Sequence, residues 1–278
     1  MSGQVLVTGA RGKTGREVTA LLRGAPGVVV RAGSSDPAKV APAAGLEPTR
    51  FDWSDRSSWG PALDGVDGVW LVRPDRPDAP ELVEAFTRLA GGAHVVLLSE
   101  QGVDALRPDH WARRVEDAFR DAAVRWTVLR PSWFHQVLTD PHFHYDEVKA
   151  GTLSLPPDAG IAWIDARDIA AVVVAVLRDP DEHRGAHLTL TGPASATTAE
   201  VAAELSRRTG RTVVATEPSP SAPGTTRQEQ FVHDIVEDLL ARVRDGGFGD
   251  VTPTVQQLTG RRPRSIQEFI AAEAGCWT

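Results

Sequence analysis

The chain has 278 residues, with 30 Lys and Arg against 37 Asp and Glu, a formal net charge of −7, and one Cys, one Met and one Tyr. That length suits one large domain or a domain with a smaller lobe, and the acidic balance argues against general nucleic-acid binding, which selects a basic face. No run of about 18 apolar residues is present to span a membrane, the lone Cys276 has no intrachain disulfide partner, and Met1-Ser2-Gly3-Gln4 shows no basic n-region or cleavage site, so a soluble cytoplasmic protein without a signal peptide is expected.

In chain order, Gln4–Thr8 reads as a buried strand, followed by a glycine turn and a helix over Thr14–Arg23. Strands are expected at Gly27–Ala32, Thr49–Phe51, Gly68–Val72, His94–Ser99 and Thr127–Arg130, with helices at Pro80–Ala90 and Asp109–Ala122. Short apolar strands separated by helices predict an α/β fold, a Rossmann-type doubly wound parallel sheet covered on both faces. Beyond Pro131 the regularity weakens. A helix over Asp168–Arg178 with Asp168 as N-cap, a strand at His187–Thr191, and helices at Thr198–Thr209 and Phe231–Arg244 are expected, with Ser219–Thr226 as a Pro- and Ser-rich loop. We expect residues 1–155 to form the dinucleotide-binding domain and 156–278 mainly a smaller C-terminal lobe, with helix 168–178 packing back on the first. Arg outnumbers Lys 27 to 3, a bias compatible with a high-GC bacterial genome.

Val5-Leu6-Val7-Thr8-Gly9-Ala10-Arg11-Gly12-Lys13-Thr14-Gly15 is the most informative stretch. Gly9 allows a tight turn, Gly12 lets backbone N–H groups approach a pyrophosphate, and Gly15 lets the helix pack on the strand, while the helix N-terminus favours the phosphates. Arg11, Lys13 and Thr14 belong to the same loop. Gly12-Lys13-Thr14 also suggests an ATPase phosphate loop, but that needs a Gly five residues before Gly12, where Val7 stands. An acid closing the second strand would select NAD; here the strand runs into Gly33-Ser34-Ser35, and Asp36 follows next to Pro37. Ser34 and Ser35 leave room for a 2′-phosphate, and Arg11, Arg31 and Lys39 can supply charge, so NADPH is expected over NADH.

The chain resembles the NmrA-like, atypical short-chain dehydrogenase/reductases over almost its whole length. The resemblance lies in Thr8-Gly9 through Gly15, Phe51-Asp52, Leu98-Ser99-Glu100-Gln101-Gly102 after the fifth strand, Val115-Glu116 through Trp126-Thr127-Val128-Leu129-Arg130-Pro131, and Trp163-Ile164-Asp165-Ala166-Arg167-Asp168-Ile169-Ala170. The C-terminal Leu258-Thr259-Gly260-Arg261-Arg262-Pro263-Arg264-Ser265-Ile266 is similar to a subgroup of ergot-alkaloid reductases and actinomycete tailoring enzymes. The resemblance implies that Asp52 lies near the adenine, that Val72, Arg73, Pro74, Ser99 and Glu100 pass close to the ribose and nicotinamide, and that Trp133, Phe134, His135 and Gln136 line the substrate side. It also implies a small-molecule substrate between domain and lobe.

Ordinary members of the wider superfamily use Ser, Tyr and Lys, the last two on the helix after the fifth strand. Here that helix reads His110-Trp111-Ala112-Arg113-Arg114-Val115-Glu116, with neither Tyr nor Lys. Tyr145 and Lys149 match the spacing but fall beyond the sixth strand, where they read as a lobe helix with a solvated Lys. Ser99 falls where the superfamily's Ser would, either bonding a reacting carbonyl or the nicotinamide ribose, or satisfying local backbone. Ser99 and His135 are therefore the catalytic candidates, with His142 and His144 as further proton sources, or the substrate supplies its own acid. His142 and His144 alone do not make a metal site, so no metal is expected.

Trp133, Phe134, Gln136, Phe143, Trp163 and Phe248 are candidate substrate residues, with Phe248 as a lid and packing as the alternative for the aromatics. Together these features lead us to expect an NADPH-dependent ketoreductase of a polycyclic aromatic ketone or quinone, such as an angucyclinone-type polyketide in antibiotic biosynthesis. The alternatives are an imine or enone reductase of another natural product, or a non-catalytic NADP(H)-sensing regulator. A monomer is expected.

Overall fold

A computed structural model describes residues 3–123, 125–219 and 222–278. The chain divides into two compact units, Met1–Arg130 with Ile169–Leu188, and Pro131–Asp168 with Thr189–Thr278.

The elements run in the order β1 (Gly3–Val7), α1 (Lys13–Leu22), β2 (Val28–Ser34), β3 (Leu46–Arg50), α2 (Trp59–Leu63), β4 (Gly68–Val72), α3 (Ala79–Leu89), β5 (His94–Leu98), α4 (Trp111–Ala122) and β6 (Arg125–Pro131). They continue with α5 (Tyr145–Ala150), β7 (Thr152–Ser154), β8 (Gly160–Ile161), α6 (Ala166–Arg178), β9 (Ala186–Leu190), β10 (Ala196–Thr197), α7 (Thr198–Thr209), β11 (Val214–Thr216), α8 (Arg227–Arg244), α9 (Thr254–Thr259) and α10 (Ile266–Glu273).

Seven strands form one sheet in the order β3-β2-β1-β4-β5-β6-β9. Pairings from β3 through β6 are all parallel. Gly185 N donating to Trp126 O and Ser132 N to Leu190 O keep β9 parallel to β6. The order reverses between β1 and β4, and in such sheets a crevice opens there, beyond the carboxyl ends of the strands. Thr8 pins the junction: its Oγ1 donates to Trp70 O and accepts from Val72 N at 2.8 Å. Val5, Leu6 and Val7 of β1 and Val69, Trp70 and Leu71 of β4 are all buried, because both faces of the sheet are covered. On one face Leu6, Leu71 and Leu97 pack with Phe86 and Phe119. Phe51, Trp53, Trp59 and Phe86 add an edge-to-face cluster.

The second unit closes around Leu138, Leu153, Trp163, Val201, Leu205, Phe248, Phe269 and Trp277. Its two small sheets are β11 parallel to β7 and β10 antiparallel to β8. No helix among the described residues is long and apolar enough to cross a membrane.

Several boundaries differ from expectation. The third strand begins at Leu46 rather than Thr49, and β2 extends to Ser34. Asp168 is not the N-cap of α6, which begins two residues earlier at Ala166. Gln136 Oε1 accepts from Ala166 N and Asp165 Oδ1 from Arg167 N, so these side chains satisfy the first turn and Asp168 lies inside it. Within the Ser219–Thr226 loop, Pro220 and Ser221 lie outside the described residues.

Candidate cofactor and active site

The glycine turn carries β1 into α1 beyond the carboxyl edge of the sheet. Gly9 has φ +62°, and Gly12 N donates to Gly9 O at 2.8 Å. Gly12 caps α1 without a side-chain hydrogen bond, so the start of the helix presents backbone rather than a capping side chain toward the turn. A Cβ on Gly15 would stand 2.1 Å from Gly9 O. The bare cradle fits a dinucleotide pyrophosphate. Arg11 and Gly12 are exposed, Lys13 half-buried, and Thr14 buried at the helix start.

Among the residues expected at the adenosine end, the hydroxyls and charges are more committed. Ser34 Oγ donates to Asp36 O and accepts from Asp36 N, while Ser35 is exposed and its carbonyl accepts from Arg50. Asp36 caps a 3-10 turn through Ala38 N and pairs with Lys39 at 3.3 Å. Arg31, expected as a phosphate ligand, instead donates to Pro61 O and Ala62 O. Arg11 stays exposed in the glycine turn. Asp52 Oδ1 accepts from Ser54 N, and its carbonyl accepts from Trp59 Nε1.

The strands β4 and β5 deliver the next residues. Val72 O accepts from Trp53 Nε1, and Pro74 is half-buried. Arg73 pairs with Glu100, with its guanidinium 4.6 Å from the Trp111 ring. Ser99 follows β5 and is 6% exposed. Its Oγ donates to Glu116 Oε1 at 2.5 Å. Glu116 in turn accepts Arg130 Nε at 3.0 Å and NH2 at 2.7 Å, and Arg130 also meets Asp104 at 3.3 Å. His187 Nε2 stands 3.8 Å from Glu116 Oε2. Ser99 therefore satisfies a buried carboxylate rather than local backbone. Glu116 and Arg130 lie in segments that carry the resemblance but were not named as site residues. The signal was present: Ala112, Val115, Glu116 and Phe119 mark the buried face of α4, and an acid on such a face needs a partner.

The remaining candidates lie in the second unit. His135 is fully buried, 5.2 Å from the Phe269 ring centroid, with Nδ1 3.5 Å from Asp165 Oδ2 and no hydrogen bond at either ring nitrogen. This enclosure gives His135 a packing position. Burial alone would raise the Asp165 carboxyl, but hydrogen bonds from the side chain and backbone N–H of Arg167 hold it well below the usual carboxylate range. Gln136 bridges Asp165 Oδ1 and Ala166 N. Trp163 and Phe248 belong to the unit's core, so the lid expected of Phe248 is instead a ring sealed under Arg242 and edge-on to Trp133. Trp133 and Phe134 are partly buried against that core, and Phe143 is exposed. Tyr145 donates to Cys276 O, and Lys149 is exposed on the same short helix α5. His142 is exposed, and His144 Nδ1 meets Glu147 at 3.0 Å. Among the described residues no group of three His, Cys, Asp or Glu is placed to hold a metal.

A parallel sheet with this strand order and an uncapped glycine turn at its switch point defines a nicotinamide-dinucleotide-binding Rossmann protein. Residues 9–180 match the NAD(P)H-binding family, and the chain belongs to it. The protein is an NAD(P)H-dependent oxidoreductase. It is 35% identical to the (4-alkanoyl-5-oxo-2,5-dihydrofuran-3-yl)methyl phosphate reductase of Streptomyces griseus, over 97% of this chain and 98% of that one. It is 30% identical to agroclavine dehydrogenase of Claviceps fusiformis, over 98% of each. The fold is shared with NmrA, a negative transcriptional regulator solved in complex with NAD, at a TM-score of 0.74 and 16% identity, covering 97% of this chain and 94% of that one.

Proposed function

We propose that the protein is an NADPH-dependent reductase of a polarised C=N or conjugated C=C bond in a small natural product. The observation that carries this reading is the residue facing Ser99. On α4, where the wider superfamily keeps its Tyr acid, the side chain that meets Ser99 is the Glu116 carboxylate, held by Arg130. A carboxylate in that state accepts hydrogen bonds and gives none.

Bound NADPH supplies a hydride. A ketone that receives it becomes a strongly basic alkoxide and needs a proton or strong donors at once, whereas a protonated C=N bond becomes a neutral amine with no proton transfer, and a conjugated C=C bond becomes a delocalised, less basic enolate that takes its proton from solvent water in a later step. The chain's own residues position rather than protonate. The glycine turn and the first turn of α1 hold the pyrophosphate, Arg11 and Ser35 favour a 2′-phosphate, and Arg73 with Glu100 shapes the nicotinamide end. The similarity to a dihydrofuranone phosphate reductase and to agroclavine dehydrogenase supports a small natural-product substrate.

The test is NADPH oxidation, followed by absorbance, against cyclic iminium salts, acyl dihydrofuranones, polycyclic quinones and aryl ketones, with NADH in parallel. Turnover confined to the first two classes and faster with NADPH is expected. Efficient reduction of quinones or aryl ketones alone would overturn the reading and restore the polycyclic ketoreductase. Tight cofactor binding with no turnover in any class would favour a sensor.

A further inference from the structure

We propose that Glu116 and Arg130 fix the polarity of the Ser99 hydroxyl, so that Ser99 serves as a hydrogen-bond acceptor and the site selects a ligand bearing an N–H donor. This rests on the reading above and narrows it to the C=N class. A serine hydroxyl has one proton and two lone pairs. The Ser99 proton is committed to Glu116 Oε1 at 2.5 Å. Glu116 is 1% exposed and cannot reorient without breaking two bonds from Arg130 at 3.0 and 2.7 Å. Breaking a buried pair of this kind is strongly unfavourable, so the carboxylate is a rigid acceptor. Among the described residues no donor reaches Ser99 Oγ, so its lone pairs are unclaimed at the carboxyl end of β5. A carbonyl oxygen placed there meets lone pair against lone pair. A protonated imine or the amine formed from it presents an N–H and fits. Glu116 and Arg130 are thus positioning residues, acting through Ser99.

Calorimetric titration of the NADP-loaded protein with tetrahydroisoquinoline, as its ammonium, and with the similarly shaped ketone β-tetralone tests this. The wild type is expected to bind the amine about tenfold more tightly, the worth of one charge-assisted hydrogen bond. Ser99→Ala leaves the Glu116–Arg130 pair in place and is expected to abolish the preference by weakening amine binding alone. Glu116→Gln, whose amide can meet Ser99 as donor or acceptor, is expected to narrow it while keeping the fold, checked by thermal unfolding. Equal binding or ketone preference in the wild type, no binding of either ligand, or a preference that survives Ser99→Ala, would overturn the proposal. Turnover of conjugated C=C substrates without amine preference would remove this inference and leave the proposed function standing. A purely structural Glu116 would change stability and leave the amine-to-ketone ratio unmoved.

Discussion

The three glycines of the turn differ in what they make possible. A methyl on Gly15 would meet only backbone, 2.1 Å from Gly9 O and 2.9 Å from Ala10 Cα, and backbone at a strand–helix junction has little freedom to give way. Gly15→Ala is therefore expected to lower stability by about 1–3 kcal/mol, the usual cost of overpacking, and to weaken NADPH binding by spreading α1 from β1. Gly12→Ala would meet Gly9 O at 3.2 Å with nothing else near. It is expected to keep most of the stability and still weaken NADPH, because the methyl stands where a pyrophosphate approaches. Denaturant unfolding and NADPH titration on both variants separate the two roles; equal losses in both would refute it. These glycines were legible because a backbone requirement is written locally. The Ser99 environment was not, because its partners lie 17 and 31 residues further along and only the fold joins them. The aromatic count misled for the same reason. Composition cannot tell a core ring from a ligand wall, and Trp163 and Phe248 are packed in the core.

At the scale of elements, period and termini decided what could be read. The strands of the sheet were legible as short apolar runs, because burial on both faces leaves no polar alternation. The edge strand β3 was read short because its Leu46-Glu47-Pro48 start has no apolar run and carries a Pro, which an edge tolerates. The start of α6 was misplaced because its first N–H groups are satisfied by Gln136 and Asp165, one of them thirty residues away. The C-terminal α10 was not expected, although Ser265-Ile266-Gln267-Glu268 spells a capping box. Ser265 Oγ accepts from Glu268 N, and Glu268 Oε2 accepts from Ser265 N at 2.7 Å. The Ser265 N–H and hydroxyl hold the Glu268 carboxyl below its ordinary range. Ser265→Ala is expected to cost about 1 kcal/mol, measured by denaturant unfolding, with Ser265→Asp retaining most of the stability as an alternative cap. An unchanged midpoint for Ser265→Ala would mean that α10 is held by Ile266, Phe269 and Ile270 alone.

For the whole molecule, acid stability should be governed by groups buried in forms that resist protonation. His94, at the start of β5, is 2% exposed, and its Nε2 lies 2.9 Å from Thr127 Oγ1. Thr127 gives its own proton to His183 O, so it must accept from His94 Nε2–H. Nδ1 is then the bare nitrogen, buried and without a partner. Protonating it would bury a cation near Arg125, and burial first, then that guanidinium, push the imidazole down to about 4. The unfolded chain takes up this proton near pH 6.5 and the folded one does not, so stability is complete above pH 6.5 and falls as the pH drops toward 4. The loss reaches about 3 kcal/mol at 1.36 kcal/mol per unit. Asp165 extends it. Its carboxyl stays ionised in the fold below the pH at which the unfolded chain protonates near 3.8, so a further loss begins there. Asp168, raised by burial despite Arg264, acts in the opposite sense and offsets part of it. His94→Gln keeps an amide N–H for Thr127 and does not titrate. Thermal unfolding followed from about pH 7.5 to about pH 4, a range that covers the His94 titration of the unfolded chain and reaches that of the folded one, is expected to show a falling midpoint in the wild type and a flatter profile in His94→Gln. If the two profiles coincide, His94 is not the group responsible, and His187, pushed down by burial and by Arg130, is the next to replace.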